Sequence, residues 1–540
     1  MKSFLLLIVL CIAPMAGAQE FPFRVKLDSI QIPELGGLQS FAVGQHNGKW
    51  LIVGGRLDGL HRRQPFAAFD LAGHNNQLIV VDPISKQKWT RNLLELDTNL
   101  REQLSSTNMQ FVQKEKTLYL IGGYGISKEK DDHITFPYLT TIDLEKTIEA
   151  VIQNRSIQPH MQQLYDEHFA VTGGKLLLMG NELALVGGHR FDGRYHPMNG
   201  PTFVQEYTNS VTFFEIEQLA DRITILNIRK IENEKLLHRR DFNVAPTQLK
   251  SGQQALISFS GVFQLEENQP YLFASLITKD TVVELSHFSQ YYNHYHCANV
   301  AFWDNKSNTS FHLFFGGIAQ YFDSSGVLVT DNEIPFTRSI SLVTKNSENR
   351  MVEYLLPAEM PSYLGAASEF ILDPSITTLE NELVGLHQLK GDSILLGYIF
   401  GGINSTAANI FWTNTGAESS ASQMVYPVYL LRGATNAKKN PQSDNSLYLQ
   451  VFPKPLSKEI VVNFNYLNPK LPVQTVLTDK NNKIVAVKKW KKVKMGPNTF
   501  YWKVKAIKKH VGGNIGEYTF TLVQGNLEWG EKVEQLMIVK

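Results

Sequence analysis

An apolar run that stops on two glycines recurs along this chain. It appears as Trp50-Leu51-Ile52-Val53-Gly54-Gly55, Leu118-Tyr119-Leu120-Ile121-Gly122-Gly123 and Leu183-Ala184-Leu185-Val186-Gly187-Gly188. It returns as Leu313-Phe314-Phe315-Gly316-Gly317 and Tyr398-Ile399-Phe400-Gly401-Gly402, with a degenerate copy at Leu256-Ile257-Ser258-Phe259-Ser260-Gly261. Glycine ends strands and permits close backbone approach, so one copy would carry no meaning. Repetition makes it the mark of a repeated supersecondary unit.

A shorter apolar run precedes each copy: Gln39–Val43, Met109–Val112, His168–Val171, Asp241–Val244, Cys297–Val300 and Glu369–Leu372. A loop and a further strand follow, as in Gln77–Asp82 with Trp89 just behind it. The 31 Phe and 20 Tyr suit half-buried pleated surfaces. No long helical period interrupts residues 24–435, which argues against a doubly wound α/β fold. The second glycines fall at 55, 123, 188, 261, 317 and 402, spacings that absorb loop insertions.

The diglycine strand, the strand ending near Asp and the following Trp resemble kelch-type β-propellers. The resemblance implies an all-β chain with about six four-stranded blades over residues 24–435, closed by a strand from the Phe23–Ile32 stretch.

The ends carry further expectations. Lys2, the apolar Phe4–Ile12 segment and Ala16-Gly17-Ala18 read as a signal peptide over residues 1–18, placing the protein outside the cell or on its surface. That segment is too short for a membrane span, and no other long apolar stretch follows, so no spanning segment is expected. The balance of 52 basic and 51 acidic residues gives no footprint for nucleic acid. Cys297 is the one thiol left after the signal, so stability must come from a large core.

Residues 436–446 are polar and aperiodic and read as a linker. Between 441 and 540 there are 16 Lys and no Arg against 7 acids, a balance of +9 beside −8 for the remainder. About seven alternating strands in residues 447–540 read as a small immunoglobulin-like β-sandwich. Val451-Phe452-Pro453-Lys454-Pro455, the turn from Thr478 to Val485 with Asn482 in place of glycine, Gly516-Glu517-Tyr518 and the ending Leu536–Lys540 resemble C-terminal sorting domains of type IX secretion substrates in Bacteroidota. That resemblance implies an outer-membrane secretion machinery as partner.

Antiparallel connectivity puts the start of each first strand and the loop after each diglycine on one face, where repeat folds gather function. This face holds Arg56, Asp58, His61, Tyr124, His168, His189, Arg190, Asp192, Arg239, Arg240, Asp241, His294, His296, Tyr321 and Glu369. Such a mouth with fixed positive charge suits a glycan, above all an acidic sugar, through bidentate arginine contacts. The run His238-Arg239-Arg240-Asp241 reads equally as a solvated ion pair. His294 and His296, two apart on one strand, form half of a metal site without a third ligand, so no cofactor is expected. Asp192 and Glu369 stand as an acid and base pair of unknown separation. The leading reading is a module that binds a glycan or another extracellular ligand at this face, and a surface scaffold without a small ligand is a third reading. The alternative is an exported sugar-modifying enzyme on the same face, because some kelch propellers isomerise sialic acids and others oxidise sugars with copper.

Overall fold

A computed structural model of the chain describes residues 19–62, 67–195, 202–219, 222–324, 327–440, 443, 449–453, 459–466, 471–481, 483–494, 496–503, 516–525 and 531–539. Strand makes up 53% and helix 9%, so the protein is mostly β. Contacts divide it into two compact units, residues 1–285 with 290–439, and residues 286–289 with 440–540. The signal segment, Arg63, Lys454, Pro455, Asn482 and Lys540 lie outside the described residues.

Among the described residues the larger unit contains four separate antiparallel four-stranded sheets and one ten-stranded sheet, whose strands form a fifth and a sixth four-stranded group joined where Tyr354–Leu355 pairs with Lys438–Lys439; each group starts from an innermost strand. The first sheet runs Ala42–His46, Lys49–Val53, Gln77–Asp82, Gln87–Asn92, and the second Gln110–Lys114, Thr117–Ile121, Tyr138–Asp143, Met161–Tyr165. The third is Lys175–Met179, Glu182–Val186, Ser210–Gln218, Ile223–Glu232, and the fourth Asn243–Gln248, Gln254–Phe259, Ser275–Ile277, Val282–Glu284. The fifth is Asn299–Asp304, Thr309–Phe315, Ser339–Lys345, Met351–Glu359. The sixth takes Tyr363–Leu372, Ser393–Ser405 and Val425–Lys439 and adds Gln19–Leu27 from the N-terminal side as its outer strand.

The diglycine strands are apolar throughout because both sheet faces are covered. Side chains alternate across a strand, so Trp50 and Ile52 pack towards Tyr398 and Phe400 of the sixth sheet. Leu51 and Val53 pack the other way, against Leu118 and Leu120 of the second. Burying one such leucine contributes about 2 kcal/mol. Equivalent clusters join the second sheet to the third, the third to the fourth and the fifth to the sixth, while Phe259 meets Phe314 between the fourth and fifth. The sheets therefore close on themselves.

The two glycines do separate jobs in that closure. The first adopts left-handed backbone and lets a carbonyl of the next sheet come close: a Cβ on Gly122 would stand 1.8 Å from Val171 O. The second donates its N–H to that next sheet. Gly55 bonds Ser106 O, Gly123 Val171 O, Gly188 Arg239 O, Gly261 His294 O, Gly317 Leu364 O, and Gly402 returns to Leu38 O of the first sheet, all within 2.7–3.1 Å. In the degenerate copy Ser260 keeps the left-handed backbone, with φ of 45°.

A second circle of backbone hydrogen bonds lies at the same end. Asn108 N donates to Ser40 O, Gly173 N to Asn108 O, Asp241 N to Gly173 O, His296 N to Asp241 O, Ala367 N to His296 O, and Ser40 N to Ala367 O. Each sheet contributes one residue. Below this circle the innermost strands enclose a cavity of about 220 Å³.

Three expectations are corrected. Residues 168–171 are not an innermost strand. Asp166 captures the His168 N–H, fixing a 3-10 turn over Glu167–Phe169, and the strand begins at Lys175. His294 and His296 do not share a strand face, because the chain from 290 to 298 is irregular and the strand begins at Asn299. The segment from 436 does not start as a linker. The strand from Val425 runs to Lys439, because Gln19–Phe21 and then Tyr354–Leu355 supply backbone partners that polar composition conceals.

In the smaller unit, Leu449–Pro453, Glu459–Tyr466 and Gly496–Lys503 form one sheet. Ile484–Lys489, Val473–Asp479, Gly516–Gln524 and Glu531–Val539 form another. Both contribute to one core containing Phe464, Trp490, Trp502 and Phe520. Trp490 buries its ring and donates Nε1–H to Thr475 Oγ1 at 2.8 Å, which meets the polar requirement of a buried indole. Asp479 closes the turn after its strand by accepting from Asn481 N and Lys483 N. No helix among the described residues is long and apolar enough to cross a membrane.

Candidate ligand-binding mouth

The backbone of Arg240 is paired both ways with Val262, at 2.9 and 3.1 Å, which fixes where its side chain starts. The guanidinium then donates Nε–H to Tyr207 Oη at 3.1 Å and forms an ion pair with Asp241. It also lies 5.1 Å from the centre of the Phe263 ring. Burial works against the Arg240 charge, and Tyr207 and Asp241 more than offset it.

Asp241 is a residue of the backbone circle, with φ of 50°. Its Oδ1 accepts from Asn108 Nδ2 at 2.8 Å, a contact between the second and fourth sheets. Gly173 of the third sheet stands between them, and a Cβ there would come within 3.0 Å of Asp241 Oδ1. Burial would raise the Asp241 pKa, but the Arg240 charge and the Asn108 hydrogen bond hold it below the ordinary value.

Aromatic rings surround the pair. Tyr207 stacks on His238 with centroids 3.7 Å apart, and His238 Nδ1 donates to Asn209 Oδ1 at 2.9 Å. His189 Nδ1 accepts from Gln205 Nε2 at 2.6 Å; burial and then Arg240 bring its pKa down to about 3, so the ring is neutral. His61 stacks on Phe69 at 5.3 Å and meets Tyr195 edge-on at 4.6 Å. Burial lowers the His61 pKa to about 4, with Arg240 adding to the effect. Burial likewise pushes the Tyr295 hydroxyl well above its usual range. A charged guanidinium with a neutral aromatic surround and one carboxylate partner can hold an anionic group and stack against a ring.

Several other residues of this face have structural work instead. Arg56 is 1% exposed and locked in a bidentate pair with Asp58 at 2.7 and 2.6 Å, with Nη1 on Asp70 O. Tyr124 donates to Gly193 O at 2.7 Å inside an aromatic cluster. Arg190 pairs with Asp192 and Glu167, and Asp192 also takes the Thr135 N–H. His168 Nδ1 donates to Asp166. Arg239 is wholly buried, donating to the carbonyls of Leu236, Ser260 and Phe273 and stacking on Tyr271 and Phe273. Tyr321 packs edge-on against Tyr291.

His294 donates Nε2–H to Gln290 O and accepts on Nδ1 from Gln320 N. His296 meets Glu369 instead, at 2.9 Å. The two imidazoles are thus committed separately, and among the described residues no group of three His, Cys, Asp or Glu side chains is placed to hold a metal ion. Cys297 is buried beside Asn243. This donor set does not fit a copper centre. Glu369 and Lys175 both line the channel cavity, while Asp192 belongs to the hairpin strand His189–Gly193 and is not among the lining residues. The proposed acid and base are not partners.

Sequence reasoning missed Tyr207, Gln205 and Tyr195. They come from the hairpin after the third diglycine, whose strands Phe203–Tyr207 and His189–Gly193 pair His189 with Tyr207. The alternation Gln205, Tyr207 beside His189 was the available signal.

No family model matches the chain, and no curated protein matches it. Among solved structures the chain is similar to the protein YjhT, with 10% identity and a TM-score of 0.40 over 75% of this chain and 99% of that one. It is also similar to a fungal alcohol oxidase of the AA5 family in complex with copper, with 9% identity and a TM-score of 0.35 over 96% of this chain and all of the other. Likeness at this level leaves the chemistry to the site itself.

Proposed function

We propose that the six-sheet unit is a kelch-like β-propeller that binds an anionic extracellular ligand, foremost an acidic glycan, at the mouth bounded by the backbone circle. The observation that carries this reading is the Arg240 guanidinium, kept charged by Tyr207 and Asp241 and set beside Phe263, Tyr207 and the neutral His189 ring. An arginine in a partly desolvated aromatic setting suits carboxylate recognition better than a hydrated lysine would. The mouth is built from residues of several sheets, as expected for a repeat fold that uses one face.

The smaller unit, in this reading, is an immunoglobulin-like sandwich that directs the exported protein to a type IX machinery, with the segment 1–18 as its export signal. Support comes from the sequence marks and from the two sheets of seven strands, six of which contribute described side chains to one core. An array of acidic and neutral glycans probed with the intact protein tests the binding reading. Retention of acidic glycans supports it, and an array without any acidic hit refutes it.

A further inference from the structure

Lys175 and Glu369 stand at one depth on opposite walls of the channel. Lys175 begins the innermost strand of the third sheet two residues past Gly173, and Glu369 lies in that of the sixth sheet two residues past Ala367. Gly173 and Ala367 both belong to the backbone circle, and the third and sixth sheets are three apart in a ring of six. The two side chains therefore enter the same cavity from facing sides. They do not meet. Among the described residues Lys175 forms neither an ion pair nor a hydrogen bond. Glu369 sets Oε1 2.9 Å from His296 Nε2, and among the described residues its Oε2 has no partner.

Burial works against both charges, and each supports the other: Glu369 favours the charged form of Lys175, and the His296 contact and then Lys175 favour that of Glu369. An unpaired ammonium in a desolvated channel is costly unless an opposite charge reaches it. The amides between the two do not bridge them. Gln45 Nε2 donates to Leu372 O at 3.0 Å and Gln113 Nε2 to Gln45 O at 2.9 Å, so both are engaged with backbone of neighbouring sheets. Away from the circle, Asn381 bonds the Leu178 backbone through Oδ1 and Nδ2, both at 2.7 Å. Its neighbour Glu382 lines the cavity and is exposed, so the space reaches solvent there. A cavity of about 220 Å³ has room for roughly seven waters at about 30 Å³ each, or for one small organic solute.

We propose that this cavity binds a small zwitterion of the amino acid class, its carboxylate on Lys175 and its ammonium on Glu369. A zwitterion brings an opposite charge to each wall at once and leaves the net charge of the channel unchanged. A bare anion would satisfy Lys175 but face Glu369 and Glu382, and a bare cation would face Lys175. Apolar side chains around the two charges, among them Val43, Leu177 and Phe370, sharpen both preferences. The site lies across the backbone circle from Arg240 and is independent of the ligand proposed for the mouth.

Calorimetric titration of the full chain with glycine, β-alanine and γ-aminobutyrate, whose charges stand progressively further apart, tests the site. Acetate and methylammonium supply each charge alone. At least one zwitterion should bind at least about tenfold tighter than either single-charge ion. Lys175→Met, which removes the charge and keeps an unbranched side chain, and Glu369→Gln should each lose that preference while still unfolding cooperatively on heating. In the unaltered protein, no binding of any of the three zwitterions, or affinities no better than those of acetate or methylammonium, would overturn the proposal without recourse to a variant. A folded Lys175→Met that kept the preference would overturn it as well.

Discussion

Asn108 and Asp241 are 133 residues apart in sequence, yet Asn108 Nδ2 donates to Asp241 Oδ1 at 2.8 Å across Gly173. The contact ties the second sheet to the fourth, and it holds the carboxylate that in turn holds Arg240. Asn108→Ala should cost about 1–2 kcal/mol of stability, the range for a bond to a charged acceptor. Asp241→Ala should cost more, about 3 kcal/mol, because it leaves Arg240 without its counter-charge. A double-mutant cycle by urea unfolding should give a coupling of about 1 kcal/mol, and a coupling of zero would show that the contact does not stabilise the mouth.

Each diglycine should respond to alanine according to what its Cβ meets. Gly48, in the turn between Ala42–His46 and Lys49–Val53 and outside the diglycine copies, has φ of 72° and nothing within 4 Å of a Cβ, whereas Gly122 has φ of 65° and a carbonyl at 1.8 Å. Gly48→Ala should cost about 1 kcal/mol, the backbone penalty alone. Gly122→Ala should cost at least about 3 kcal/mol, since the second and third sheets must also separate. Equal costs in chemical denaturation would refute the role assigned to the first glycine.

Acid should destabilise the protein through its buried histidines. Burial lowers the pKa of His74 and His294 to about 4 and that of His312 to about 3. These folded values lie below the unfolded value of 6.5, so the unfolded chain binds the extra protons. Stability is complete above pH 6.5 and declines towards pH 4, by about 1.4 kcal/mol per pH unit for each such histidine. His312 is 1% exposed and both its ring nitrogens lack partners. His312→Leu should therefore raise stability at pH 7 by about 1 kcal/mol and make the acid decline shallower by one proton. A decline of unchanged slope would contradict this.

Removal of residues 447–540 should leave the larger unit trapped in the periplasm if the smaller unit is the sorting module. Cell fractionation with an antibody to the larger unit reads the outcome directly. Normal release of the truncated protein would remove the sorting role.

The repeat was legible because close approach between sheets favours glycine at a fixed place, kept in five copies and replaced by Ser260 in the sixth, so Gly54-Gly55 and its equivalents mark the sheet boundaries. On the face they mark, Arg240, Asp241 and His189 come together. The rest depended on contacts that spacing does not encode. Arg239 and Arg240 are adjacent and alike in sequence, yet backbone pairing of Arg240 with Val262 sends one side chain to the mouth and the other among buried carbonyls. Arg56 looked like a ligand group because a bidentate partner two residues away, Asp58, is indistinguishable from a neighbouring free acid until the chain turns. His294 and His296 were assigned to a strand that begins only at Asn299, and an irregular segment gave each ring its own partner.

The role of Arg240 is tested most directly by titrating the intact protein with an acidic glycan retained on the array, beside its uncharged analogue, and repeating this with Arg240→Gln. The unaltered protein should prefer the acidic form, and Arg240→Gln should weaken that form by at least about tenfold, or 1.4 kcal/mol, while leaving the analogue unchanged. Equal affinity of the two proteins for the acidic form would contradict a mouth built around Arg240.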